Sequence, residues 1–167
     1  MLKNALYRML KSSVGIFFNF FNFLLAGNLP PLGCVTIIVQ HEDRYLMIER
    51  PEGGYVLPGG FMRWKEHPAQ TVLREGKEET GLTLRVSDFI GYSSTASFGL
   101  TRLSTLSFVY YAEVMGGELR DSIEGRVNWL DETDVLGKII LQQRDIFKNF
   151  LLYREQGGQM KSFQVEN

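Results

Sequence analysis

Hydrophobic and polar positions follow two different rhythms along this chain. In "CVTIIVQ" (34–40) and "YLMIER" (45–50) β-branched and other apolar residues run almost unbroken. That pattern predicts two strands joined by the turn "HEDR" (41–44). Further strands are predicted at 84–92, at "LSFVYYAEV" (106–114) and at "RVNWL" (126–130). "MGGEL" (115–119) reads as a turn, and "PEGGYVLPGG" (51–60) as loop and short strand ending in a glycine pair. Two segments keep helical spacing instead. In the first, residues 68–80, Ala69, Val72, Leu73 and Gly76 share one face; Pro68 suits the first helical position and Gly81 the left-handed residue after the end. In the second, "KIILQQRDIFKNFLLY" (138–153), Ile140, Phe147 and Leu151 line up, with Ile139, Ile146 and Phe150 alongside. Strands, helix, strands, helix describe an α+β sandwich with helices packed on a sheet.

The first 29 residues have their own pattern. "VGIFFNFFNFLLA" (14–26) is densely apolar, with cations ahead of it at Lys3, Arg8 and Lys11. Polar and small residues recur at Asn4, Arg8, Ser12, Gly15, Asn19, Asn22 and Ala26, a narrow stripe on an otherwise apolar helix. A membrane span needs roughly 20 apolar residues; this run has 13, two of them asparagine. A secretory signal has this order of charges but a better small-x-small site than Ala26-Gly27 offers. The third reading, favoured over a signal sequence, is a helix that docks on the domain, on a second copy in a homodimer, or in the membrane interface. "NLPPLG" (28–33) then ends the helix. The chain therefore divides into this helix (1–29), a domain (30–155) and a polar tail (156–167).

Bulk properties narrow the chemistry. The 167 residues are enough for one domain with a real core. A net charge of −1 gives no global reason to expect nucleic acid, so an anionic ligand must meet local cations or a bound metal. Cys34 is the only cysteine, which excludes an internal disulfide and a cysteine zinc site. Two histidines, His41 and His67, are too few for a multi-histidine centre, and the default compartment is the reducing cytoplasm.

One helix carries the candidate chemistry. Glu75, Glu78 and Glu79 stand at i, i+3 and i+4, so two adjacent turns present carboxylates to one side. Such spacing destabilises an isolated helix, and Arg74 and Lys77 offset only part of the repulsion. An acidic solvated face is one explanation. A site for a hard divalent cation is the other: Mg²⁺ is typically held by one or two carboxylates plus substrate phosphates. Gly59-Gly60 lets backbone carbonyls approach such an ion, and Glu66 precedes the helix where it can fold back over the same face.

From Gly60 the chain runs five residues to Glu66, seven more to Arg74-Glu75, then Gly76, Lys77, Glu78-Glu79, Thr80, Gly81 and Leu82. This resembles the Nudix box, G-x5-E-x7-R-E-U-x-E-E-x-G-U with U aliphatic. Seven fixed letters agree; at roughly 7% usage per letter, chance agreement anywhere in the chain is about 10⁻⁶. A looser resemblance runs from "VTIIV" to "WLDETDV". Gly76 departs from the pattern where the family has an aliphatic residue, so the helix should sit closer to the sheet or leave a gap for a neighbour. Lys65 stands where many members have another glycine.

The resemblance implies an α/β/α sandwich with a mixed central sheet. It also implies hydrolysis of a nucleoside diphosphate linked to another group, with Mg²⁺ or Mn²⁺. A nucleotide sugar such as ADP-ribose is the leading substrate, ahead of oxidised nucleoside triphosphates, dinucleotides and RNA cap-like ends. Carried over residue by residue, Glu75 and Glu79 are the first candidate metal ligands, with Glu78 sharing the ions, the Gly59 carbonyl completing the shell and Glu66 an outer ligand. Arg74 would orient Glu75 by a charge-assisted hydrogen bond. The general base is either a glutamate of the box, Glu75 or Glu78, or the downstream Glu124 in "IEGRVNWL", whose alternative is an ordinary loop residue. Arg50 and Arg63 are candidate phosphate contacts or solvated cations. Tyr55 and Phe98 either stack on a base or sugar or belong to the core. "YSSTASFGLTRLST" (92–105) is a candidate closing loop. Two rivals remain at this stage: a ligand sensor of the same fold without turnover, and a peripheral membrane hydrolase acting on a membrane-linked diphosphate.

Overall fold

The computed structural model describes residues 2–96 and 101–158. Its elements, in chain order, are α1 (Leu2–Leu24), β1 (Leu32–His41), β2 (Arg44–Glu49), β3 (Tyr55–Val56), β4 (Gly59–Phe61), α2 (Pro68–Thr80), β5 (Leu82–Thr95), β6 (Thr105–Gly117), β7 (Arg126–Asp131), α3 (Glu132–Lys138) and α4 (Leu141–Glu155). The strands make one mixed sheet of order β3-β2-β1-β6-β5, with β4 paired to β1 and β7 to β2. β1 is its organiser. It runs parallel to β6 from Leu32↔Thr105 to Val39↔Ala112, holds β4 antiparallel at Cys34, Val35 and Thr36, and turns through His41 into β2.

The unbroken apolar run of β1 reflects burial on both faces. Val35, Ile37 and Val39 pack with Val72 of α2 and with Leu82, Leu84 and Ala112. Ile38 points the other way, with Tyr45, Met47, Ile90, Val109, Val135, Phe147 and Phe150. Tyr45 meets Phe147 edge-on at 4.8 Å, which fastens α4 to β2. α2 thus covers one face and α3 and α4 the other, so the molecule is the α/β/α sandwich that the box implied.

α2 keeps its predicted bounds. His67 caps it, accepting from the Ala69 N–H, Gln70 returns a bond to the His67 N–H, Pro68 opens the first turn, and Gly81 closes the last at φ +78°. Its buried face differs from expectation. Leu73 is 43% exposed, while Thr71 and Thr80 are fully buried beside Val72, Gly76 and Glu79. The hydroxyls pay no penalty there, because Thr80 Oγ1 donates to the Gly76 carbonyl and Thr71 Oγ1 to Glu66. Gly76 brings the helix close to the sheet: a Cβ would lie 2.4 Å from Leu84 Cδ1, so Leu84 fills the space of the missing side chain.

The helix expected at 138–153 begins only at Leu141, and a separate helix that was not expected, α3, precedes it. Asp131 caps α3, accepting from the Asp134 N–H at 2.7 Å, and Ile139 and Ile140 then adopt extended backbone before α4 begins. The Ile140 N–H donates to the Tyr55 carbonyl at 3.0 Å, so pairing with β3 outcompetes helix at this point. "MGGEL" contributes Met115 to Gly117 to β6, and Gly59-Gly60 lies in β4 rather than in a loop. Phe98 falls outside the described residues.

α1 meets the domain through two residues of its narrow polar stripe, Gly15 and Asn19. A Cβ at Gly15 would lie 2.4 Å from the Thr101 carbonyl oxygen, and Asn19 Nδ2 donates to the Arg102 carbonyl at 2.8 Å. Among the described residues no helix is long and apolar enough to cross a membrane.

Candidate active site

The pairing of β4 to β1 places Gly59 and Gly60 directly beneath α2. Gly60 has no room for a side chain, since a Cβ would stand 2.3 Å from Glu75 Oε1. The Gly59 N–H donates to Glu79 Oε2 at 2.8 Å. A cavity of about 620 Å³ opens here, within the size range of small-molecule sites. Gly59, Gly60, Glu75, Glu79, Glu124 and Arg50 line it together. Glu124 arrives from the loop before β7 and is ion-paired with Arg50 from the end of β2.

Arg74 answers most of the crowding of negative charge. Its Nε and Nη2 hold both oxygens of Glu66 at 2.7 and 2.8 Å, its Nη1 reaches Glu75 at 2.7 Å and Glu78 at 3.1 Å, and Nη2 also reaches the Phe61 carbonyl at 2.9 Å. The fork to Arg74 holds the Glu66 carboxyl down at about 2, helped by the Arg63 N–H and the Thr71 hydroxyl. Arg74 in turn is pushed further up by Glu66 and Glu75. Glu79 receives none of this. It is 6% exposed, and burial lifts its carboxyl to about 8, with Glu75 and Glu124 adding repulsion against the pull of the Gly59 N–H and of Arg50. Burial also raises Glu75, despite its bond to Arg74.

The expected site residues therefore separate into two groups. Glu75, Glu79, Gly59, Glu124 and Arg50 face one cavity. Glu78 does not: it is held on the outer side of α2 by Arg63 at 2.9 Å and by Arg74. Arg63 is correspondingly spent on Glu78 and is exposed. Glu66 stands behind Arg74 as its main anion rather than in the cavity. Tyr55 is absent from the cavity wall because β3 turns its ring onto the core cluster of Phe147 and Phe150. Further residues line the wall: Ser93 and Thr95 belong to the segment 92–105 expected as a closing loop, whose first four residues instead extend β5, and the others had drawn no attention from the sequence. Thr36 and Ser107 share a 2.7 Å hydrogen bond, Ser93 and Thr95 come from the end of β5, and Gln142 and Gln143 come from α4. Gln143 Oε1 accepts the Leu57 N–H at 2.8 Å and so steadies the approach to Gly59. Thr36 was visible as the lone hydroxyl within an apolar strand; the glutamines had no comparable signal.

No group of three or more His, Cys, Asp or Glu among the described residues is arranged to hold a metal ion by itself. Two carboxylates can still serve a cation that keeps water and takes further oxygens from substrate phosphate. The donor set fits that case: Glu75 and Glu79 offer hard oxygen donors in a common wall, and burial raises the Glu79 carboxyl there.

Comparison with known proteins agrees with this fold. An ADP-ribose pyrophosphatase of Methanocaldococcus jannaschii is 29% identical over 130 residues, covering 75% of this chain and 76% of that protein. A MutT-like protein of Streptomyces ambofaciens is 33% identical over 111 residues, covering 64% and 69%. The crystal structure of a MutT protein from Methanosarcina mazei Go1 superposes with a TM-score of 0.64 at 27% identity, over 77% of this chain and 97% of that one. The NUDIX domain model matches residues 30–150. With the box, the sandwich and this match in agreement, the chain belongs to the Nudix family and is a hydrolase.

Proposed function

We propose that this hydrolase cleaves the pyrophosphate bond of a nucleoside diphosphate derivative, with a nucleotide sugar of the ADP-ribose kind as substrate and Mg²⁺ or Mn²⁺ as cofactor. The observation that carries this reading is the convergence of Glu75, Glu79, Glu124 and Arg50 on one cavity beside the Gly59-Gly60 backbone. The name of the archaeal relative supports the choice of substrate.

Glu75, Glu79 and the Gly59 carbonyl would hold the cation. When bound, it supplies charge neutralisation between carboxylates and phosphate, polarisation of phosphorus, and a lowered pKa for the attacking water. Arg74 turns Glu75 through its 2.7 Å bond and opposes the burial that raises the Glu75 carboxyl. Glu124 takes the proton of the water as its oxygen bonds to phosphorus; the bridging P–O bond breaks and its electron pair leaves with the departing phosphate. Arg50 orients Glu124 and offers charge to the substrate phosphates. Glu78 and Glu66 serve this arrangement through Arg74 rather than at the ion.

The test is nucleotide release from a panel of nucleoside diphosphate derivatives with Mg²⁺, with Mn²⁺ and with chelator. Turnover of a nucleotide sugar that the chelator abolishes is expected. Glu124→Gln should lower kcat by roughly 10²–10⁴ with KM little changed. Full activity in that variant would remove Glu124 as the base, and failure of every nucleoside diphosphate derivative would overturn the substrate class.

A further inference from the structure

The way α1 sits on the domain is inverted. An amphipathic helix that completes a soluble domain turns its apolar face to the core and its polar face to water. Here Gly15 and Asn19, in the middle of the polar stripe, face the protein, Gly15 against Thr101 and Asn19 on the Arg102 carbonyl. The apolar side faces outward: Phe17, Phe20 and Phe23 are 68%, 58% and 79% exposed, and Ile16, Phe21 and Leu24 are exposed beside them. A helix that turns Gly15 and Asn19 to the domain and leaves phenylalanines outside is built for an apolar surrounding that the domain itself does not provide.

We propose that this outer face of α1 inserts into the interface of an anionic lipid bilayer and holds the enzyme at the membrane surface. Three observations select lipid over another protein surface. At 100° per residue, the six exposed apolar positions cover an arc of roughly 160°, whereas one partner helix covers only a narrow seam. A lipid surface covers the whole arc. The charge of the segment is complementary to anionic headgroups: Lys3, Arg8 and Lys11 are the only charged residues up to His41, so a chain of net charge −1 carries +3 at this end. A second copy would bring two such +3 segments together instead. Finally, α1 is too short in apolar residues to span, which leaves attachment in the plane of the interface. Val14 of α1 also lines the catalytic cavity, so attachment fixes that cavity at the lipid surface.

The test is co-sedimentation of the full chain with vesicles of phosphatidylcholine alone and of phosphatidylcholine mixed with phosphatidylglycerol. Binding to the anionic vesicles is expected, on the order of 100-fold tighter than to neutral ones, and weakened by added salt. The triple variant Phe17→Glu, Phe20→Glu, Phe23→Glu should lose at least about tenfold in binding while its melting curve stays that of the folded chain. A second measurement does not depend on that variant's folding. Phe23→Trp places an indole on the outer face, and its emission should be quenched by bilayers with brominated acyl chains beyond the quenching of the parent protein. A full chain that stays in the supernatant with both vesicle types, or an indole at position 23 that gains no quenching, overturns the proposal. Dimers that the triple variant disperses, without any vesicle binding, would assign the face to a second copy and overturn it equally.

Discussion

Glu79→Gln separates the stability of this protein from its chemistry. The Glu79 carboxyl is raised from 4.5 to about 8, chiefly by burial. In the unfolded chain it ionises near 4.5; in the folded, metal-free chain it stays protonated to about 8. The folded state therefore holds more protons between these values, and stability falls as pH rises through that window. At about 1.4 kcal/mol per pH unit, the cost at pH 7 is about 3 kcal/mol, and above pH 8 it levels off near 5 kcal/mol. Glutamine is neutral, has nearly the same shape, and its carbonyl oxygen can still accept the Gly59 N–H. The variant should match the parent near pH 5 and melt higher at pH 8, by roughly 10 °C for a chain of this length.

The assay is thermal denaturation in chelator from pH 5 to 8.5, repeated with Mg²⁺. Added Mg²⁺ should stabilise the parent by mass action, most strongly at high pH where the carboxyl must ionise, and should stabilise the variant far less. The variant should also lose turnover, a trade of function for stability. A melting difference that does not depend on pH would refute burial as the source of the cost. Equal stabilisation of both proteins by Mg²⁺ would remove Glu79 from the cation site.

Three further substitutions probe the scaffold. Arg74→Lys keeps the charge but not the fork to Glu66, Glu75 and Glu78, so a loss of about 2 kcal/mol in urea unfolding is expected. Since Glu66 is held at about 2 when folded, its contribution is present above pH 4.5 and lost as pH falls toward 2; the same variant should therefore flatten the acid limb of the stability profile. Gly76→Ala gains helix propensity but meets Leu84 at 2.4 Å, for a net loss of roughly 1 kcal/mol that Leu84→Val in the same chain should partly restore. Lys65 has φ +66°, and Lys65→Gly should raise stability by about 0.5 kcal/mol, the relief of left-handed strain exceeding the entropy of glycine.

What the sequence made legible was local. α2 could be read to the residue because its first proline and its terminal glycine mark its two ends within its own segment. β1 could be read because two-sided burial leaves an apolar run that loops do not show. β4 could not: Gly59, Gly60 and Phe61 become a strand only because β1 lies beside them. The acid-rich "DETD" concealed α3, and Ile139-Ile140 kept helical spacing while their backbone was extended by β3. Leu73 was misplaced because apolar spacing ignores the demand of Glu66 for a partner hydroxyl, which turns Thr71 inward instead.

The candidate site divides along the same line. Its box residues were visible because one helix spaces them, yet spacing could not tell which carboxylates share a cavity. Glu75, Glu78 and Glu79 look alike in sequence, and their difference lies in where Arg74 and Arg63 stand. Arg74 reaches Glu66, Glu75 and Glu78 and leaves Glu79 aside; Arg63 then draws Glu78 outward. Arg50 and Glu124, far apart in the chain, meet on the opposite wall. Of the three α2 glutamates, Glu79 alone is buried, it has no ion pair among the described residues, and its oxygen is already aligned by the Gly59 N–H. An arginine that satisfied Glu79 as well would make a more stable apo-protein with nothing left to attract a cation. The uneven distribution of positive charge around α2, rather than the count of glutamates on it, is what singles out Glu79 for the proposed cation site.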